Sequence, residues 1–232
     1  MKILRTTIIL TLLLIGIAEA HQPRIVYDRE NPGTNPIIIT EPETSRAYYG
    51  ELKGREDNYM IINDDAFMLY VNVLTPFRLQ DNEKDFSIEV KDFNNRQILL
   101  VDGTQAEWNL YFEEFGRDYY LKGPEERKEL PGGIYYMNIS SSDNYGKYTL
   151  AVGEKESYPI NEIFKAYYTV PKIKREFFGE RYYKLFLNPV GFAAAITLII
   201  LLFAIWFGFR LRKIAKQRRI QEKKLPSWQR TK

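Results

Sequence analysis

His21 is the only histidine in the chain, and there is no cysteine. Those two facts remove most nucleophile–base pairs, thiol catalysis, iron–sulfur clusters and cysteine-based zinc sites. No G-x-S-x-G, H-E-x-x-H or Walker loop occurs. Glu113 and Glu114 are adjacent carboxylates, but glycoside hydrolysis needs two carboxyl groups facing each other across a substrate cleft, and sequence neighbours do not provide that. The chain is therefore expected not to be an enzyme and to need no cofactor. His21 has one further option. A cut after Ala20 makes it the N-terminal residue, offering an amine and an imidazole nitrogen to copper, so it is the candidate metal residue. Acidic groups cluster at Asp64-Asp65, at Asp81-Asn82-Glu83 with Asp85, and at Asp143-Asn144. Calcium needs six to eight oxygen ligands, and no D-x-[DN]-x-[DN]-G loop is present, so these read as solvated loops. Trp108, Tyr111, Phe112 and Phe115 are the candidate ligand platform, an aromatic group in the acidic stretch 106–123. Their spacing is near-helical, which predicts a short helix packed on the domain or a long insert between strands. Asn138-Ile139-Ser140 is an N-glycosylation sequon.

The elements that must carry these residues are mainly β. Apolar alternation and β-branched or aromatic runs predict strands near 37–40, 46–52, 59–62, 67–74, 86–90, 97–101, 134–139 and 147–152. Turn residues separate them: Gly54, Asp102-Gly103, Gly132-Gly133 and Asp143-Asn144-Tyr145-Gly146. Pro32-Gly33 and Asn35-Pro36 mark turns before the first strand. Short, regularly spaced strands predict a sandwich or barrel, here a single antiparallel β-sandwich over residues 21–153. Residues 154–187 change character. A helix over 160–170 is expected to end at Pro171. An amphipathic helix over 172–186 then places Phe178, Tyr182 and Phe186 at a membrane interface.

Residues 190–209 read VGFAAAITLIILLFAIWFGF, with no charge. Roughly 20 apolar residues cross the hydrocarbon core as a helix. The expected span is 188–209, followed by a basic tail, 210–232. Arg210, Arg212, Lys213, Lys216, Arg218 and Arg219 put that tail on the cytoplasmic side and in contact with anionic headgroups. At the other end, Lys2 and Arg5, an apolar core from Ile8 to Ile17 and Ala18-Glu19-Ala20 read as a signal peptide, 1–20. The expected topology is single-pass in the cell membrane, with the N-terminal domain outside. Between leader and span lie 21 Lys and Arg against 28 Asp and Glu. The pI of 8.8 thus averages an acidic exterior and a basic tail, and nucleic acid is not an expected partner.

Four segments carry a resemblance: Gly50-Glu51-Leu52-Lys53-Gly54 with Asp57-Asn58-Tyr59-Met60-Ile61; Phe67-Met68-Leu69-Tyr70-Val71; Leu130-Pro131-Gly132-Gly133-Ile134-Tyr135-Tyr136; and Gly146-Lys147-Tyr148-Thr149-Leu150-Ala151-Val152. The block 49–153 resembles the pre-peptidase C-terminal domain family, small β-sandwiches appended to secreted microbial peptidases. The resemblance implies the fold, and turn glycines and core tyrosines imply little chemistry. The resulting expectation is a membrane-anchored, outward-facing, non-catalytic β-sandwich that binds a protein partner or surface glycan. The alternative is an extracytoplasmic metal-binding protein using His21 for copper or the acidic loops for calcium.

Overall fold

A computed structural model describes residues 21–29, 35–77, 85–157 and 159–224. The expected leader, the Pro32-Gly33 turn, the Asp81-Asn82-Glu83 cluster and the tail beyond 224 lie outside the described residues. Eleven strands are described: β1 (Gln22–Ile25), β2 (Ile37–Thr40), β3 (Arg46–Lys53), β4 (Asp57–Asn63), β5 (Phe67–Pro76), β6 (Ser87–Asp92), β7 (Gln97–Val101), β8 (Asn109–Glu113), β9 (Asp118–Leu130), β10 (Gly133–Ser140) and β11 (Tyr145–Val152). They form a six-stranded sheet, β1-β3-β11-β5-β9-β8, and a five-stranded sheet, β2-β4-β10-β6-β7. The chain is mainly β and the architecture is the expected sandwich. Two edge strands add a feature that local patterns do not encode: β1 joins β3 and β2 joins β4 in parallel.

Period-two alternation sorts each strand's side chains between two faces. From the six-stranded sheet, Tyr48 and Leu52, Phe67 through Val73 at odd positions, and Tyr148, Leu150 and Val152 enter the inter-sheet core. Tyr59, Ile61, Ile88, Val90, Met137 and Ile139 meet them from the other sheet. The segments that carry the family resemblance converge here. Tyr59 and Tyr148 are fully buried, and their hydroxyls lie 2.8 Å apart. Tyr148 donates to Asp57 Oδ2 at 2.6 Å, so Tyr59 donates to Tyr148. A Cβ on Gly50 would fall 2.2 Å from the Tyr148 ring, so glycine makes room for that ring.

The stretch 106–123 is neither a helix nor a loose insert. It makes β8, a turn and the start of β9, with Tyr111 opposite Tyr120 and Phe112 opposite Tyr119. The pairing partner decides the conformation: β8 gains a ladder on β9 that a lone helical turn could not match. Strand β9 continues through Pro124 by way of a bulge opposite Asn72/Leu74. Proline lacks the N–H needed for a regular ladder. Asn72 Nδ2 donates to the carbonyls of Gly123 and Pro124, both at 3.1 Å.

After the last strand comes α1 (Ile160–Lys172), which runs through Pro171 rather than ending at it. A π turn, Ile173–Phe177, follows directly, and Phe178 N–H bonds the carbonyl of Ile173. Pro171 has no N–H for the carbonyl four residues back, and the hydrogen-bond ladder re-registers within two residues. The continuous amphipathic helix expected over 172–186 does not form. Gly179, at φ +70°, ends the turn, and only a 3-10 turn, Tyr182–Lys184, follows. Residues 160–178 pack on the outer face of the six-stranded sheet instead of standing clear of it. Phe177 lies against Tyr27 and Tyr49, and Phe178 against Tyr120.

The chain divides into two units, each taken by itself: the sandwich with α1 up to Gly191, and the chain from Phe192 onward. The helix α2 (Pro189–Lys224) opens with proline at its first position and Asn188 Oδ1 accepting the Gly191 N–H at 3.0 Å, a regular N-cap. Its stretch Gly191–Arg218 has a mean hydropathy of 2.5 over its most apolar part and is long and apolar enough to cross a bilayer. The helix continues past the expected boundary at 209, so Arg210, Arg212, Lys213, Lys216 and Arg218 are exposed helical residues. The side chain of Arg219 lies outside the description.

Candidate functional site

The expected aromatic platform divides among three surroundings. Trp108 packs against the inter-sheet core, with Nε1 donating to the Gly103 carbonyl at 3.0 Å. Phe115 is buried in the β8–β9 turn. Tyr111 and Phe112 are consecutive on a strand and so face opposite ways. Phe112 does form an exposed group, but with Tyr119, whose ring centroid lies 4.9 Å away, and with Leu110 on the same face. The spacing read as helical includes Phe112 but not Leu110, two residues back on β8, or Tyr119, opposite it on β9.

On the opposite face of the same hairpin lies a cleft of about 100 Å³. Its floor is the outer face of the six-stranded sheet: Ala47 and Tyr49 on β3, Thr149 and Ala151 on β11, and Tyr70 and Asn72 on β5. One wall is β8–β9, which contributes Tyr111, Glu113, Asp118 and Tyr120, and the roof is Val170, Ile173 and Lys174. Alanines and a threonine at the centre of the floor make it concave. Salt bridges and hydrogen bonds hold the roof. Glu162 takes Arg24 at 2.8 Å, Lys172 reaches Asp28 at 2.9 Å, and Tyr27 donates to Glu176 at 3.0 Å. Lys147 Nζ donates to the carbonyls of Glu176 and Phe177, both at 2.9 Å, at the end of the turn where carbonyls lack partners.

The π turn carries Lys174 into the cleft, where Nζ meets Asp118 Oδ1 at 2.8 Å with both side chains almost wholly buried. Beside it, Glu113 accepts the N–H groups of Phe115 at 2.8 Å and Gly116 at 2.6 Å. A Cβ on Gly116 would lie 2.7 Å from both Glu113 Oε2 and Asp118 Oδ2, so glycine lets the two carboxylates share this corner. Burial pushes both carboxyls above their ordinary range, opposed at Asp118 by Lys174 and at Glu113 chiefly by the two N–H bonds. Thr149 is 3 % exposed, and its Oγ1 makes no hydrogen bond.

The remaining candidates lie apart. His21 borders the cleft, with Nδ1 2.5 Å from Ser45 Oγ. Among the described residues no group of three or more His, Asp or Glu could hold a metal ion. Asp85 accepts the Ser142 N–H, and Asp143 accepts the Tyr145 N–H and the Ser141 hydroxyl, so both organise turns. Asn138 is half-buried on β10, a central strand. Of the three expected interface residues, Tyr182 is 70 % and Phe186 53 % exposed. Phe178 turns the other way and packs on Tyr120, which removes it from that group. His21, Tyr111 and Phe115, singled out from the sequence, line the cleft, whereas its other residues come from separated segments that no local pattern joins. The nearest signal was Glu113 and Asp118 flanking a glycine turn.

No protein-family model matches the chain, and no curated protein does. Among solved structures the chain is similar to the pre-peptidase C-terminal domain of a collagenase from Bacillus anthracis, at 15 % identity and TM-score 0.34, covering 53 % of this chain and 98 % of that one. It is also similar to part of a β-glucosidase from Paenibacillus barengoltzii, at 11 % identity and TM-score 0.28, covering 56 % of this chain and 13 % of that one. A ruminal GH26 endo-beta-1,4-mannanase is similar at 10 % identity and TM-score 0.26, with 49 % and 20 % covered. The chain spans a fifth or less of each of these two glycosidases.

Proposed function

We propose that this chain is a membrane-anchored, outward-facing, non-catalytic β-sandwich that binds an extracytoplasmic protein or surface glycan through its edge hairpin. The carrying observation is the exposed group Leu110, Phe112 and Tyr119 on β8–β9. Single exposed apolar residues are ordinary, but a contiguous apolar patch marks an interaction surface. The two rings, tilted against each other, supply large contact area at low side-chain entropy cost. Anchoring rests on the apolar stretch of α2, and orientation on the cationic residues that follow it, which favour the cytoplasmic side and anionic headgroups. Tyr182 and Phe186 suit the headgroup layer, the usual place for aromatic residues beside a span. The non-catalytic reading is supported by the cleft, whose volume lies far below the roughly 300–1,000 Å³ of ordinary small-molecule sites. No specific observation favours a metal on His21 or the acidic loops.

The test uses the full-length protein in maltoside micelles, applied to glycan arrays and to cross-linking on cells. Retention of a ligand should fall about tenfold or more in a Phe112→Ser, Tyr119→Ser variant, as expected where central aromatic anchors carry binding. Equal retention by wild type and variant, or none by either, would overturn the reading.

A further inference from the structure

We propose that the cleft beneath the π turn binds a small organic ammonium ion, held by the Glu113 and Asp118 carboxylates and the surrounding tyrosine rings, and donating an N–H to Thr149 Oγ1. The site lies on the other face of the hairpin from Phe112 and Tyr119, so its failure leaves the previous reading untouched.

Three observations lead to this ligand class. The first is charge. Two carboxylates, Glu113 and Asp118, border the cleft; Lys174 matches the charge of Asp118, and Glu113 is met by the neutral N–H groups of Phe115 and Gly116. Lys122 also borders it, but its Nζ is 2.8 Å from Glu125 and over the Tyr111 ring. His21, at the rim, has its Nδ1 against Ser45. The cleft therefore favours a further cation. An anion would approach a lysine already paired with Asp118 and stand beside Glu113.

The second is the lining. Tyr49, Tyr70, Tyr111 and Tyr120 border the cleft. Aromatic faces attract organic cations, more strongly where water is excluded. A hard metal cation would need several more oxygen ligands than this corner offers.

The third is the hydroxyl of Thr149, a residue of the cleft floor, buried and without a partner. An unpaired buried hydroxyl costs on the order of 1–3 kcal/mol, and native proteins hold few. A protonated amine donates to it. Size then restricts the class. About 100 Å³ is smaller than the roughly 150 Å³ apolar cavity that takes benzene, so the ligand has only a few heavy atoms. The π turn fits this reading, since such segments recur at functional sites, and here it positions Lys174.

The same chemistry exists as a free small amine and as the head of an ethanolamine phospholipid. The experiment uses the full-length protein in maltoside micelles with ethanolamine hydrochloride, and in nanodiscs of phosphatidylglycerol with and without phosphatidylethanolamine. Matched sodium chloride and sodium acetate are the controls. Calorimetry and thermal melting should show millimolar binding of ethanolamine, or a rise in Tm specific to the ethanolamine lipid. The first result assigns a soluble amine and the second a headgroup. Thr149→Val and Glu113→Gln should each weaken that response about tenfold. Thr149→Val keeps shape and fold, so it carries the test if Glu113→Gln does not fold. The proposal is overturned if both ammonium sources behave as their controls, if acetate binds instead, or if Thr149→Val binds as wild type.

Discussion

Tyr148 and Thr149 are consecutive on β11 and point to opposite faces of the six-stranded sheet. Tyr148 sits in the inter-sheet core. It donates to Asp57, accepts from Tyr59, and fills the space left by Gly50. Burial raises the Asp57 carboxyl and pushes the Tyr148 hydroxyl well above its usual range. Every polar atom named there has a partner. Thr149, one residue on, lies on the cleft floor with its hydroxyl buried and unpaired, in a neighbourhood where Asp118 needs Lys174. The inner group is assembled from the two sheets alone. The outer group depends on a segment from beyond the sandwich and remains incomplete without something further. Buried polarity on the inner face thus specifies the fold, and on the outer face it marks a site.

The contrast can be broken most sharply at Lys174. Lys174→Met leaves Asp118 and Glu113 without their cation. Removing one partner of a buried pair costs roughly 3–5 kcal/mol. Protonation of Asp118, which burial already favours, absorbs part of this, so a loss near the lower figure is expected in urea unfolding. A loss below about 1 kcal/mol would mean that the roof does not rely on the pair.

Tyr148→Phe keeps the ring and removes one hydroxyl. It strands Asp57 and Tyr59 in the core, with an expected loss of about 2 kcal/mol. A neutral result would show that water reaches this group and that the inner face is no better closed than the outer.

Thr149→Val is the smallest effect and has the opposite sign. Deleting an unpaired hydroxyl while conserving shape should leave stability unchanged or raise it by up to about 1 kcal/mol. Destabilisation comparable to that of Tyr148→Phe would show that Thr149 is structurally satisfied, and would erase the distinction between the faces.

The sequence made the inner face legible and left the outer one hidden. Alternation at Phe67, Leu69, Val71 and Val73 marks a core strand, and Asp57, Tyr59 and Tyr148 belong to the segments that resemble a known sandwich family. Local pattern is enough there because each strand carries its own half of the core. The hairpin is different. Trp108, Tyr111, Phe112 and Phe115 mimic helical spacing, while Pro124 and the charges from Glu125 to Glu129 hide a strand that exists only because β5 and β8 flank it. The cleft needs β3, β5, β8, β9, β11 and the π turn together, so no window of the sequence contains it. Phe178 shows the same limit. Its periodicity told which residues share a side, but not that its side would meet Tyr120.

The roof also comes late in synthesis. The eleven described strands are complete at Val152, whereas the π turn ends at Phe177. At about 5–20 residues per second, elongation separates the two by roughly one to five seconds. During that interval a closed sandwich would carry its tyrosine-lined outer face uncovered, open to a chaperone, to self-association or to an early ligand. A ribosome-stalled chain long enough for β11 to clear the exit tunnel, with the π turn still inside it, would isolate that stage of biogenesis.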